Sequence, residues 1–365
     1  MAPLTPMMQQ YFDIKEKHKD CILFFRLGDF YEMFFDDALT ASKAIDITLT
    51  GRDCGQDERA PMCGIPHHAA DGYISKLISQ GFKVAIAEQV EDPSVAKGIV
   101  KRDVIRVVTP GTVTDSVMLD EKKNNYIVCI YKMGFAYGFC SADVSTGMIN
   151  ATSIAWGNTT LKLLDEIAKF NPSEVICNQF AYEDKHLLQL LQKRMMNISM
   201  FSDANFITDR SQELISKYFS ESKLSSDLPE FNAIGGMLSY LEETQKMSLN
   251  HFNQIDIYKL DEYVAIDAST RRNLELTETL RDKSRKGSLL WVLDRTQTSM
   301  GARLLKSWIE QPLVNIDKIQ LRLDAVDEFY NKFMLRSELR EYLKRIYDIE
   351  RLLERWFLVV LTAEI

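Results

Sequence analysis

The chain has 365 residues, 46% hydrophobic and 26% charged, an ordinary globular composition with enough material for two or three domains. Its net charge is -8, and residues 1–112 hold 13 Lys/Arg against 16 Asp/Glu, which weighs against a broadly basic nucleic-acid-binding surface; any grip on phosphate must come from a local patch. The sequence has no run of about 18 apolar residues, the N-terminus does not read as a signal peptide, and six cysteines without a CxxC pair fit a reducing cytoplasm.

Residues 7–20 read as an amphipathic helix with Met8, Tyr11, Phe12 and Ile14 on its apolar side. Residues 22–26 read as a buried strand, Gly28-Asp29 as a turn, 31–44 as a helix and 45–49 as a second strand. The stretch 51–64 is rich in glycine and charge and reads as a polar loop. Residues 70–79 suit a helix, and 84–88 and 104–108 suit strands. Thr109-Pro110-Gly111-Thr112 then punctuates the end of an α+β unit, giving a first domain over 1–115. A second unit opens near Asn124. Residues 126–131 and 135–142 form a hairpin about Lys132-Met133-Gly134, and 148–154 add a third strand. A helix over 161–170 and a short strand over 175–177 follow, predicting a mixed α/β domain over 124–245 with its end blurred within 230–250. From Asp261 the periodicity is helical, over 289–295, 301–309, 316–329 and 335–353. This predicts a helical domain over 255–365 that lacks return elements to bury its long helices. The expected fold class is multidomain α/β plus α.

Three segments bear on chemistry. In Gly28-Asp29-Phe30-Tyr31-Glu32 a large ring follows a glycine turn, where it can be presented at a surface. A flat ring can wedge between base pairs and unstack them, at a cost of a few kcal/mol that falls where a mispair has weakened the step. A carboxylate two residues on can accept a hydrogen bond from a base edge, or donate one if protonated. Phe-x-Glu alone is a very weak motif, and on pattern alone Phe30, Phe34 and Phe35 read as core and Glu32 as a solvated helix residue. Cys54, Cys63, His67 and His68 fit no common zinc spacing and read as loop residues. Asp143, in Asp143-Val144-Ser145-Thr146-Gly147, resembles the carboxylate that opens ribonuclease-H-like nucleases. Such enzymes need several carboxylates around two metal ions, so a turn-capping role is favoured, with a metal-dependent nuclease centred on Asp143 as the alternative. No G-x-x-x-x-G-K-[ST] occurs.

Longer strings tip the balance. Leu4-Thr5-Pro6-Met7-Met8-Gln9-Gln10-Tyr11, Phe25-Arg26-Leu27-Gly28-Asp29-Phe30-Tyr31-Glu32-Met33-Phe34 and Ala60-Pro61-Met62-Cys63-Gly64-Ile65-Pro66-His67-His68-Ala69 resemble the N-terminal region of the MutS family of bacterial DNA mismatch-recognition proteins. So do Val107-Val108-Thr109-Pro110-Gly111-Thr112, Asp267-Ala268-Ser269-Thr270-Arg271-Arg272-Asn273-Leu274-Glu275 and Thr298-Ser299-Met300-Gly301-Ala302-Arg303-Leu304-Leu305-Lys306. The resemblance covers residues 4–355 and is weakest over 178–250.

The resemblance implies a mixed α/β mismatch-binding domain, a ribonuclease-H-like α/β connector domain without nuclease chemistry, and the start of a helical lever domain. It implies that Phe30 stacks on a mispaired base from the minor groove of a kinked duplex and that Glu32 hydrogen-bonds that base. Further DNA contacts are expected at Arg52, Met62, Gly64 and Pro66, and a phosphate contact at Arg106; Arg52, Arg102 and Arg106 read equally as surface ion-pair residues. The family's ATPase, with its ATP and magnesium, is a C-terminal P-loop domain absent from this sequence. The chain alone is therefore expected to be no enzyme and to hold no cofactor or metal. The expected partners are double-stranded DNA with mispaired or unpaired bases, a second copy in a homodimer, and a MutL-type repair protein, in the cytoplasm at the nucleoid and away from membrane. After Arg355 the family continues with a polar, helix-ending stretch, whereas Trp356-Phe357-Leu358-Val359-Val360-Leu361 is apolar. That departure predicts a truncated or frameshifted reading frame, with a non-functional fragment as the bland alternative.

Overall fold

The computed structural model describes residues 4–362 except 56–57, 92–97, 116–117, 195, 197, 220–223, 247 and 253. The chain divides into two compact units, Met1–Val113 with Leu241–Ser248, and Thr114–Tyr240 with Leu249–Ile365.

The first unit opens with helix α1 (Pro6–Lys17), where the Thr5 hydroxyl accepts from the Met8 N–H at 3.4 Å and proline occupies the first turn. Strand β1 (Cys21–Leu27) reverses at Gly28-Asp29 into β2 (Phe30–Phe34), followed by α2 (Phe35–Ile45), β3 (Thr50–Arg52), β4 (Ala60–Pro66), α3 (Ala70–Ser79), β5 (Lys83–Gln89) and β6 (Arg102–Val108). They form one sheet in the order β3-β4-β2-β1-β5-β6, with β1 and β5 parallel and the other pairs antiparallel. Strand alternation sends Leu23, Phe25, Phe34, Ala85 and Ala87 to one face, where they pack with Met8, Tyr11 and Ile14 of α1. Phe12, expected with them, is half-exposed. The opposite face carries Phe24, Met33, Cys63 and Ile65, and α2 and α3 lie against strands there. Buried Asp37 ties three elements together: its carboxylate accepts from the Tyr11 hydroxyl (3.0 Å), the Leu23 N–H (3.0 Å) and the Lys15 ammonium (2.8 Å). Burial beside that carboxylate pushes the Tyr11 phenol well above its ordinary range.

Three local expectations fail in this unit. Residues 31–34, expected as the start of a helix, are strand, because the two-residue turn pairs Leu27 with Phe30 and commits the return to the ladder. The helix starts only at Phe35, whose φ of +51° marks a sharp change of direction; the ring of Phe35 packs on Phe12 with centroids 5.0 Å apart. Residues 45–49 are the end of α2 and an irregular segment, with Asp46 at φ +55° closing the helix. The stretch 51–64, expected as loop, contains β3 and most of β4 paired antiparallel.

The second unit begins with a meander of β7 (Ile127–Met133), β8 (Ala136–Asp143) and β9 (Met148–Ile154). Then come α4 (Thr159–Phe170), β10 (Glu174–Cys177), α5 (Gln179–Tyr182), α6 (Lys185–Lys193), β11 (Ile198–Met200), α7 (Thr208–Tyr218), α8 (Pro229–Gln245, of which the residues from Leu241 on are counted with the first unit) and β12 (Gln254–Ile257). The sheet order is β11-β10-β7-β8-β9-β12, antiparallel in the meander and parallel toward both edges. Gly138 of β8 meets the start of α8: a Cβ there would stand 2.0 Å from the Pro229 carbonyl oxygen, so only glycine permits this approach.

Helices α9 (Ala268–Asn273), α10 (Leu289–Leu293), α11 (Ser299–Glu310), α12 (Ile316–Asn331), α13 (Phe333–Leu343) and α14 (Ile349–Thr362) complete the unit. The single helix expected over 335–353 is two, interrupted between Leu343 and Ile349. Two buried arginines fix this part. Arg303 donates to both carboxylate oxygens of Asp348 (2.6 and 2.8 Å), to Glu350 (2.6 Å) and to the Glu121 carbonyl (2.9 Å). Arg351 donates to the Ser145 hydroxyl (3.2 Å) and to the carbonyls of Asp120 (3.0 Å) and Lys123 (2.6 Å). In the apolar tail the backbone is helical to Thr362 and Trp356 is exposed; the side chains of residues 357–361 lie outside the described residues. Among the described residues no helix is long and apolar enough to cross a membrane.

Candidate nucleic-acid interface

The site builds from the β1–β2 hairpin. Gly28 has φ +57°, a conformation glycine adopts without strain, and it lets a two-residue turn close the hairpin. The turn is held from outside: the Asp29 carbonyl accepts from the His67 backbone N–H (2.9 Å) and lies 3.1 Å from His67 Nδ1, which must then carry the ring proton to donate. Directly after this fixed turn stands Phe30, with 47% of its surface exposed. Tyr31, next in sequence, points to the other face, where its hydroxyl hydrogen-bonds Glu88.

Because β2 is a strand, Phe30 and Glu32 share one face. Their cross-strand partners on β4 are Pro66 and Gly64, and Met62 stands opposite Phe34. The expected contact residues Met62, Gly64 and Pro66 therefore lie in one register on the same face as Phe30 and Glu32. Gly64 places no side chain beside the Glu32 carboxylate. Arg52, on β3, reaches across and forms an ion pair with Glu32. The Glu32 side chain is 15% exposed and that of Arg52 37%, so the pair is neither buried nor freely solvated.

Two of the candidate arginines lie elsewhere. Arg106 pairs in register with Ile86 of β5, on the opposite face, and its guanidinium donates to the Thr112 carbonyl at 3.4 Å. Arg102 is buried, donating to the carbonyls of Arg26 (2.6 Å) and Val100 (2.8 Å) and to Gln10 (3.1 Å), with its guanidinium 5.0 Å from the Phe25 ring centroid. It is a structural clamp. The role of His67 was not legible in the sequence, since nothing local to Pro66-His67-His68 indicates which carbonyl it meets.

The other segments resolve similarly. The Cys54 thiol donates to the Glu58 carbonyl at 3.3 Å, and that of Cys63 to the Ala38 carbonyl at 3.6 Å. All six cysteines are free and buried. Burial pushes the Cys63 thiol up to about 11. Buried Asp143 accepts from Asn124 Nδ2 (2.8 Å), the Asn125 N–H (3.2 Å), and the N–H (3.0 Å) and hydroxyl (2.7 Å) of Ser145. Those four donors occupy the carboxylate as a turn cap. Among the described residues no group of three or more His, Cys, Asp or Glu could hold a metal ion.

Comparison with known proteins meets this geometry. MutS domain I matches residues 5–117, MutS domain II residues 125–253 and MutS domain III residues 269–361. These matches define a chain built of consecutive MutS-type domains. The chain belongs to the MutS family. It is 60% identical over 356 residues to the DNA mismatch repair protein MutS of Ruminiclostridium cellulolyticum, covering 97% of this chain and 41% of that protein. The MutS proteins of Acetivibrio thermocellus (58% identity; 97% of this chain, 41% of that protein) and Lachnoclostridium phytofermentans (52%; 97% and 38%) are similar in the same way. The chain thus spans about two fifths of the length of these relatives.

Proposed function

We propose that this chain binds double-stranded DNA at mispaired or unpaired bases, as part of mismatch repair. One observation carries the reading: Phe30, half-exposed on a fixed turn, shares a strand face with Glu32 in the region that matches MutS domain I. In this reading the Phe30 ring enters the minor groove and unstacks the weakened step, while Glu32 hydrogen-bonds the mispaired base. Unstacking costs least where pairing is already broken, so the wedge discriminates through the deformability of the duplex. Arg52, Met62, Gly64 and Pro66 flank the wedge on the same face; Arg106 has no part in that surface. Arg52 neutralises a carboxylate that would otherwise face phosphates uncompensated.

The wider reading follows the family. Residues 1–115 are the mismatch-binding domain, 124–245 a ribonuclease-H-like connector and 255–365 the start of a helical lever. The whole protein is an ATP- and magnesium-dependent sensor that works as a homodimer with a MutL-type partner in the cytoplasm. The ATPase chemistry belongs to sequence other than this, since the matched regions are domains I to III and no Walker motif is present.

Photo-cross-linking tests the wedge. A benzophenone side chain replacing Phe30 is expected to cross-link a duplex at its single G·T mispair, and the same group at Phe135, an exposed hairpin residue of the second unit, is not. Cross-links spread evenly along the duplex would refute the reading.

A further inference from the structure

The second unit holds a cavity of about 250 Å³ whose wall differs sharply in charge from the chain as a whole. Lys122 and Lys123 approach it from the segment before β7, and Arg271 and Arg272 from α9. Lys283 and Arg285 come from the loop before α10, and Lys306 from α11. Against these seven cations stand two carboxylates, Glu278 and Glu310, in a chain of net charge -8. A concave site lined by one sign of charge focuses the field on whatever enters it.

Much of this charge is loosely compensated. Lys306 is 3.9 Å from Glu310, Lys283 3.5 Å from Glu278 and Lys123 3.7 Å from Asp120. Among the described residues Arg271 donates to backbone carbonyls alone, those of Ile266 (3.1 Å) and Glu310 (2.7 Å). Arg285 is ion-paired with Asp294, yet its Nε is buried without a hydrogen-bond partner among the described residues. The side chains of Lys122 and Arg272 are exposed and make no hydrogen bond or ion pair among the described residues. Burial lowers the affinity of the Arg271 guanidinium for its proton, so an anion in the cavity would relieve a desolvated charge. Thr277 and Thr279 add hydroxyls to the wall.

We propose that this cavity binds a small phosphate-bearing anion of pyrophosphate or triphosphate size, held by Arg271, Arg272, Lys122 and Lys306. Cations converging from four elements suit a compact, multiply charged ligand, and arginine forks with hydroxyl donors match phosphate oxygens. The volume lies below the range of about 300–1,000 Å³ that larger organic ligands occupy. A double helix, far wider than the cavity, does not enter it, so the phosphate comes from a free anion and not from a DNA backbone.

Titration of the 365-residue chain with inorganic triphosphate, at ionic strength held constant with potassium chloride, tests this by calorimetry and by thermal melting. One saturating site is expected, with Tm rising as the logarithm of triphosphate concentration. The double variant Lys122→Ala/Arg272→Ala is expected to bind at least tenfold more weakly. Arg345→Ala, an exposed arginine outside the cavity, leaves binding unchanged. A linear, non-saturating response, or equal binding by the double variant, overturns the proposal. Displacement of triphosphate by a fully matched 20-base-pair duplex overturns the assignment to a free anion. No mispaired DNA enters the experiment, so its outcome is independent of the wedge reading.

Discussion

Glu32 is the residue at which charge and geometry pull in different directions. A carboxylate facing DNA raises the cost of approach to phosphate, yet only a group with its acceptor oxygens can answer a base that offers a donor. In the proposed reading Arg52 offsets that cost through its ion pair with Glu32 on the same sheet face. The pair is partly exposed, so its own contribution to stability is small, about 0–1 kcal/mol. Its consequence lies in binding. Arg52→Ala is expected to weaken affinity for matched and mispaired duplex alike by several-fold, leaving their ratio nearly unchanged. In the Glu32→Gln background the same substitution is expected to lose most of its effect. A double-mutant cycle at fixed salt reads this coupling, and additive effects would show that Arg52 acts on phosphate independently of Glu32. The strand also explains the spacing of the two site residues. Two positions apart on a helix they would diverge by roughly 200°, whereas on β2 they align. Sequence pattern alone favoured Phe30 as core; only its place among long family strings singled it out.

The hairpin that presents Phe30 depends on elements behind it, and Asp37 is where they meet. Its carboxylate holds the Tyr11 hydroxyl of α1, the Leu23 N–H of β1 and the Lys15 ammonium. Asp37→Ala would orphan the buried Leu23 N–H and leave Lys15 without its carboxylate, while the Tyr11 hydroxyl and the Lys15 ammonium keep the Phe34 and Cys21 carbonyls as acceptors, so a loss of about 1–3 kcal/mol is expected. Chemical denaturation followed at the first unit checks it; a loss under about 1 kcal/mol would mean that the network is dispensable. The meander β7–β9, α3 and α4 were legible because alternation and helical period agree with the final packing. The switch from β2 to α2 was not. It falls between Phe34 and Phe35 with no glycine, proline or capping side chain to mark it, and Phe35 takes a positive φ that sequence does not announce. Strands β3, β11 and β12 are three or four residues long, and pairing at a sheet edge rather than local pattern creates them. Arg303 stands in a motif string, but its partners and those of Arg351 come from segments distant in sequence, beyond the reach of local reading.

Over the whole chain, stability is expected to fall on mild acidification. His251 has its ring largely withdrawn from water, with Nε2 buried and unpartnered among the described residues, and burial lowers its pKa from 6.5 to about 4. Between those values the unfolded chain binds a proton that the folded chain does not, so stability drops as pH falls through this window and is full above it, by about 1.4 kcal/mol per pH unit from this residue. His251→Gln should flatten that part of the profile in urea titrations from pH 7 to 4; an unchanged slope would mean that the ring is solvated in the folded state. A net charge of -8 leaves no general attraction to DNA, so the proposed reading rests on the small face around Phe30. The most direct measurement is therefore the ratio of affinities for a G·T-mispaired and a matched duplex, at low ionic strength, for the wild-type chain and Phe30→Ala. The wild type is expected to favour the mispair by about tenfold, roughly 1.4 kcal/mol, and Phe30→Ala to bring the ratio close to one with little change for matched DNA. A Phe30→Ala chain that keeps the wild-type ratio would contradict the account.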